Sequence, residues 1–224
     1  MDHRAQNQAQ RINDTKHDVL NNVGGIISEE MEIPKLLWLK ENLPSTWSSA
    51  SKFFDLADFL TYISTGNDSR SMCTVTCKWN YQYDQKEGRG AWSEDFFQKV
   101  GLEDLSKDNF MRIGNRIVRV GERVGEGLTR KAAEELGLKE NTFVSVGIID
   151  AYSGAVGSLG GAEGNKERGR LEERIALISG TSSCLICFKK DPVLVKGVWG
   201  PYYGVAMNGM FAHEGGENAA GSLF

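Results

Sequence analysis

No apolar run in this 224-residue sequence comes near the roughly 20 residues that a bilayer-spanning helix requires; stretches such as 36–39 and 175–178 are typical. The first two dozen residues are polar and have no apolar centre, which argues against a secretory signal and makes the cytosol the expected compartment. Positive charge is not in excess. Twenty-six Lys and Arg stand against 30 Asp and Glu, giving a net charge of -4, so no general attraction to nucleic acid or to an acidic membrane is expected. Cysteine is scarce, with four residues in two local pairs, Cys73/Cys77 and Cys184/Cys187, which read as free thiols rather than a disulfide framework. A four-thiolate zinc site is disfavoured, because Cys184 and Cys187 lie at odd spacing in a strand-like run and so point to opposite faces. The Gly-Lys-Ser/Thr phosphate loop and the dinucleotide fingerprint are both missing. What remains is ordinary globular material, 40% hydrophobic and 25% charged, enough for one large domain or two modest ones.

The opening 23 residues read as a solvated helix or a tail. Pro34 suits the first turn of a helix with Leu36, Leu37 and Leu39 as its apolar stripe, stopped by Pro44. The spacing of Phe53, Leu56, Ala57, Leu60 and Ile63 predicts an amphipathic helix ending at Gly66. Residues 71–79, rich in threonine and cysteine, read as extended or as a loop. Short capped helices are expected after Ser93, ending at Gly101, and over 129–137. The β-branched run 143–149 reads as a buried strand. The small-residue stretch 151–161 can be helical only if something packs very close to its backbone. Residues 165–173 are charged and read as a linker, and 174–179 and 184–188 as two strands joined by a turn.

Two segments carry candidate chemistry. The turn Gly180, Thr181, Ser182 offers N–H and O–H donors toward one point, as an anion such as phosphate would need, although alone it reads first as an ordinary hairpin turn. Asp150 ends the run 143–149, where α/β folds place their sites, and a carboxylate there could act as a general base, cap the helix that follows, or do both. Lys78 and Glu214 each read alone as a solvated charge, though the glycines after Glu214 let a ligand come near. His213 reads as a surface or capping residue, and Trp38, Trp47 and Trp92 as packing rather than nucleobase platforms.

Taken together the segments resemble the FGGY carbohydrate kinases, most closely the ribulokinase branch. The resemblance runs in order through Met-Asp-His-Arg-Ala (1–5), Pro-Lys-Leu-Leu-Trp-Leu-Lys-Glu-Asn (34–42), Phe-Phe-Asp-Leu-Ala-Asp-Phe-Leu (53–60) and Cys-Lys-Trp (77–79). It continues through Ile-Asp-Ala-Tyr-Ser-Gly (149–154), Ser-Gly-Thr-Ser-Ser-Cys (179–184), Gly-Val-Trp-Gly-Pro-Tyr (197–202) and Glu-Gly-Gly-Glu-Asn (214–218). It implies an α/β chain with part of a two-lobed actin/hexokinase/Hsp70-like (ribonuclease H-like) fold. Residues 1–165 would be the later part of the sugar-binding lobe, and residues 166–224 the start of the nucleotide-binding lobe. By the same resemblance Asp150 is the general base and a ligand of Mg2+, and Gly180, Thr181 and Ser182 cradle the transferring phosphate. Lys78 and Glu214 bind a ketose, with Asp2 and Arg4 near the sugar pocket. The implied substrates are ATP and a pentulose, D-ribulose above others. Tyr152 and Glu217 depart from the histidine and glutamine of the family pattern, which bears on substrate choice more than on mechanism.

Met1 falls inside a family motif, and the sequence stops before the family's glycine-rich adenosine segment. The expectation is a middle portion of a kinase with little or no turnover and poor solubility when isolated; the alternative is a non-catalytic binding fragment. A zinc- or redox-binding module built on the cysteine pairs is the weakest reading.

Overall fold

The computed structural model describes residues 2–84, 86–160, 170–180 and 182–217. Eight α-helices are described: α1 (Gln6–Asp14), α2 (Glu32–Asn42), α3 (Pro44–Ser49), α4 (Leu56–Thr65), α5 (Met72–Trp79), α6 (Glu94–Lys99), α7 (Arg130–Leu136) and α8 (Asp150–Gly160). The strands are β1 (Arg70–Ser71), β2 (Gln82–Asp84), β3 (Arg89–Ala91), β4 (Ile117–Val118), β5 (Ile175–Ser179), β6 (Ser183–Lys189), β7 (Trp199–Tyr203) and β8 (Phe211–Glu217). Strands β5, β6, β8 and β7, in that order, form an antiparallel sheet, while β1 pairs with β4 in parallel and β2 with β3 in antiparallel fashion. The boundary expected at 165/166 lies outside the described residues. No helix among the described residues is long and apolar enough to cross a membrane.

The polar opening stretch is not a tail. Ala5, Ala9 and Ile12, spaced at about one helical turn, make one buried stripe along α1. Val19 and Leu20 bury themselves in the short 3-10 turn that follows, whose start is capped by the His17 ring accepting from the Val19 N–H. Three or four well-spaced apolar side chains suffice to dock an otherwise hydrophilic helix. Helix α2 forms as expected, with Pro34 in its first turn and Leu36 and Leu37 buried, and Pro44 opens α3. The capped helix over 129–137 also forms: the Thr129 hydroxyl accepts from the Ala132 N–H, and Gly137 closes α7 in the left-handed conformation.

Helix α4 turns its apolar side outward, against the expectation from its spacing. Leu56 is 71% exposed and Leu60 and Ile63 are more than half exposed, whereas Asp58 and Thr61 are buried. The reason is a specific polar demand from the next helix. The Asp58 carboxylate accepts the Ser71 N–H at 2.8 Å and the Thr74 hydroxyl at 2.7 Å, satisfying donors at the N-terminus of α5.

That helix replaces the extended segment expected at 71–79. The Ser71 hydroxyl caps it by accepting the Cys73 N–H, and Asn80 ends it in the left-handed conformation. Every α5 residue except Lys78 is buried, so packing on all sides overrides the weak helix propensity of its threonines, valine and cysteines. Met72, Val75 and Trp79 belong to the core around α1, α2 and α6, while Cys73 and Cys77 belong to the core beneath the sheet.

The second core is closed by the sheet and by α8. Register pairs Ala176 with Ile186 and Ile186 with Glu214, so Ala176, Ile178, Cys184, Ile186 and Glu214 share the inner face, against α5 and α8. The outer face carries Ile175, Leu177 and Leu185, all exposed. Helix α8 meets the condition set by its composition: a Cβ on Gly154 would come within 3.0 Å of the Ile178 side chain on β5. Residues 143–149, by contrast, are no strand. Strands need a neighbour for their backbone groups, and Val124 donates a single such bond to the Val144 carbonyl, leaving Phe143 exposed.

Burial raises the Asp58 carboxyl to about 6. The folded chain therefore holds this proton more tightly than an unfolded chain, whose aspartates titrate near 4. The contribution of Asp58 to stability is fullest below pH 4 and is lost as pH rises from about 4 to 6. Asp58→Asn, which keeps an acceptor for Ser71, is expected to remove that slope. Asp58→Ala is expected to cost about 1–3 kcal/mol by stranding the buried Ser71 N–H, while the Thr74 hydroxyl can still donate to the Ser71 carbonyl. Denaturant midpoints at pH 4 and pH 7 for the three proteins check both; equal pH dependence in the native chain and Asp58→Asn would refute the assignment.

Candidate functional site

Asp150 does not end a buried strand. It opens α8 and is exposed, with Oδ1 accepting the Ala151 N–H at 2.8 Å. The capping alternative and an accessible carboxylate thus coexist. Nearby, β5 and β6 form the expected hairpin, and at its tip the Ser179 and Ser183 hydroxyls lie 3.0 Å apart. Within the turn the Gly180 N–H is already donated to the Ser182 carbonyl at 2.8 Å, and Ser179 and Ser183, paired across the hairpin, lie on the outer face of the sheet with Leu177 and Leu185. Thr181 lies outside the described residues.

Glu214 is not a solvated charge. It is 8% exposed on the inner face of β8, directly opposite Trp199 of β7. The Lys78 ammonium sits 5.4 Å from the Trp199 ring, a cation–π arrangement that holds the lysine beside Glu214. Cys184 reports on the cluster. Burial first, then the Glu214 carboxylate and more weakly Asp150, push its thiol up to about 11 against the opposing pull of Lys78. Asp150, Lys78 and Glu214, which lie far apart in sequence, therefore all act electrostatically on one thiol. His213, adjacent on the opposite face, is buried too, with Nε2 at 2.9 Å from the Val193 carbonyl rather than at a surface or cap.

Asp2 and Arg4 form an exposed ion pair at 2.6 Å, which holds the Asp2 carboxyl well below the usual carboxylate range. The Arg4 guanidinium lies over Trp38 at 4.4 Å. The pair borders a pocket of about 290 Å3 that also includes Glu32, Lys35 and Trp79. Glu32 bonds Lys35 at 3.1 Å; burial raises its carboxyl, and Lys35 and Lys78 counteract that. Lys78 thus connects the pocket of Asp2 and Arg4 to the cluster of Asp150 and Glu214. A larger depression of about 860 Å3 beside the β2–β3 ribbon contains none of these groups.

Sequence reasoning missed Glu32, Cys184 and Trp199. Glu32 stands in the first turn of α2, where an acid also answers the helix dipole, so nothing local marks it as part of a pocket. Strand alternation from Ile186 would have put Cys184 on the face of Glu214, but the pairing that seats Trp199 there crosses strands and leaves no local trace. The four cysteines are free, and no cluster of three or more potential metal ligands occurs among the described residues.

Residues 1–157 match the N-terminal domain of the FGGY family of carbohydrate kinases. The chain belongs to that family. It is 48% identical over 228 residues to an FGGY carbohydrate kinase domain-containing protein of Danio rerio, an alignment covering all of this chain and 41% of that one. It is 44% identical over 228 residues to the human protein of the same description, with 40% of that protein covered. To a D-ribulokinase of Saccharomyces cerevisiae it is 40% identical over 242 residues, covering all of this chain and 34% of the yeast protein. The FGGY chain thus spans well under half the length of these relatives. A xylulose kinase from Rhodospirillum rubrum superposes with a TM-score of 0.74 at 16% identity, over 98% of this chain and 41% of that one. A glycerol kinase from Plasmodium falciparum gives 0.73 at 15%, over 99% and 42%. The fold is accordingly the α/β, actin/hexokinase-like fold of FGGY sugar kinases, as the resemblance implied.

The electrostatic action on Cys184 can be measured without any substrate. Its alkylation by iodoacetamide, followed by peptide mass spectrometry, is expected to be slow at pH 8 and to rise about tenfold per pH unit toward pH 10. Glu214→Gln removes a charge that disfavours the thiolate and should speed the reaction several-fold at pH 8, whereas Lys78→Met should slow it. Rates unchanged in both variants would separate these residues from Cys184.

Proposed function

We propose that this chain supplies the sugar-binding and proton-accepting parts of an ATP-dependent pentulose kinase, with D-ribulose as the substrate. The observation that carries the reading is the placement of Lys78 over the Trp199 ring, which stands opposite Glu214 on the inner face of the sheet, with Asp150 within electrostatic reach of the Cys184 thiol on that same face. The relatives named D-ribulokinase and the ketose-like chemistry of the cluster point the same way. A buried carboxylate accepts hydrogen bonds from sugar hydroxyls and a lysine donates to a keto or hydroxyl oxygen, both with charge assistance. Asp2 and Arg4 would border the same sugar through the Glu32 pocket. Residues 1–165 would form the sugar side and 166–224 the start of the nucleotide side.

Asp150 suits a general base. It is exposed, and only its Oδ1 is engaged by the helix, so a second oxygen can take the proton of the attacking sugar hydroxyl. The same exposed carboxylate fits a magnesium ion, and the exposed Ser182 hydroxyl of the turn fits a phosphate oxygen. When bound, ATP and Mg2+ supply the transferable phosphoryl group and offset its charge. Gly180 shapes this turn, and Thr181 belongs to it by sequence.

A second reading, a non-catalytic binding segment, draws on the apolar stripe of α4 and on the exposed outer face of the sheet. Calorimetry separates the two: D-ribulose binding that Lys78→Met abolishes supports the kinase reading, and no binding of any pentulose by a folded chain supports the other.

Turnover is best measured in a chain of the relatives' full length that carries these residues. Asp150→Asn is expected to lower kcat by roughly 100- to 10,000-fold with folding kept. Lys78→Met and Glu214→Gln are expected to weaken ribulose binding and leave ATP affinity nearly unchanged. Near-normal turnover in Asp150→Asn, or a loss confined to ATP affinity in the other two, would overturn these roles.

A further inference from the structure

Two hydroxyls with unspent hydrogen-bonding capacity lie behind Glu214. Tyr152 on α8 is 0% exposed and Tyr202 on β7 is 1% exposed, and neither Oη has a partner. A phenylalanine would fill either space without stranding a polar group, so each hydroxyl needs a physical account. Both tyrosines sense the same two neighbours, the Glu214 carboxylate and the Cys77 thiol. Burial is the first cause that pushes both phenols well above their ordinary range, so each keeps its proton and is a donor at neutral pH. Placement agrees with this. Tyr202 stands opposite Ala212, two residues along β8 from Glu214 and on the same face. Tyr152 reaches the same core from α8, on the other side of that layer. Glu214 is itself buried, and Lys78, the cation beside it, also answers to Glu32. A carboxylate in that position gains from neutral donors that do not leave when a ligand arrives.

We propose that Tyr152 and Tyr202 are positioning residues for Glu214: their hydroxyls donate through one water to its carboxylate and keep it aimed along the inner face of the sheet at a polyhydroxylated ligand. The tyrosines do not touch that ligand; they act through Glu214. The inference rests on the reading of Glu214 as a sugar-binding group and adds what holds it in place.

A double-mutant cycle on the 224-residue chain tests it. Tyr152→Phe and Tyr202→Phe are made in the native background and in Glu214→Met, which keeps side-chain length and removes the acceptor. Denaturant midpoints at pH 7 and D-ribulose affinity by calorimetry are measured for each. Each Tyr→Phe change should lower the midpoint in the native background and leave it nearly unchanged in Glu214→Met, and should weaken ribulose binding by about 3- to 10-fold. Tyr→Phe changes that are neutral or stabilising in both backgrounds would overturn the proposal, since that is the behaviour of a hydroxyl stranded among apolar groups. Coupling to Glu214 without any effect on ribulose would uphold the positioning and refute the sugar-site reading. Should a variant fail to fold, proton NMR of the unsubstituted chain decides: slowly exchanging tyrosine hydroxyl protons near the Glu214 side chain support the proposal, and rapid exchange refutes it.

Discussion

The grip of the buried Asp58 carboxylate on the N-terminus of α5 is the constraint on which the rest of the structure depends. It engages the Ser71 N–H and the Thr74 hydroxyl at once, in a position sealed from water. Ser71 passes the constraint on, because its own hydroxyl donates to the Gly147 carbonyl at 2.6 Å, three residues ahead of Asp150. One carboxylate therefore fixes the start of the helix that bears Lys78 and, through a single serine, the approach to α8. Neighbouring Arg70 is buried alongside, its guanidinium 3.6 Å from the Phe54 ring, and Gly114 leaves the room its side chain occupies.

Helix α5 is the common wall of two cores, which explains its composition. A residue facing either core must be apolar or small, and seven of its eight positions comply. Lys78 is the exception, placed where the two cores meet the open side. There it answers to Glu32 on one flank and to the surroundings of Cys184 on the other. A single ammonium positioned by a fully packed helix has little freedom to choose between them. The Lys78 ammonium lies 5.4 Å from the Trp199 ring, which helps to hold it there.

The parts legible in sequence were those with local causes. Pro34 starting α2, Thr129 and Gly137 bounding α7, the hairpin around Gly180, and the glycines that let α8 lie against β5 all act within a few residues of themselves. The misreadings share another origin. Spacing alone could not say which side of α4 faces inward, because the deciding partner is a hydroxyl and an N–H thirteen or more residues away. Residues 71–79 have strand-like composition and become a helix because packing surrounds them. The run 143–149 has strand composition and lacks a strand neighbour. For the site, the residues alone marked Asp150 as a general base or a cap, while Lys78 and Glu214 read as ordinary charges until the resemblance picked them out. The burial of Glu214 and its place opposite Trp199 arise from pairing across β6, β7 and β8, which no linear pattern encodes.

The close approach of Gly154 to Ile178 acts as a pivot pin. Asp150 begins the helix that contains one half of the contact, and Ser179 ends the strand that contains the other. The separation of the carboxylate from the hydroxyl-bearing turn is thus set one helical turn away, by a glycine and an isoleucine that perform no chemistry. A larger residue at 154 is tolerable only where 178 has shrunk to match, and a descendant that enlarged one without trimming the other would keep every reactive group and lose their spacing.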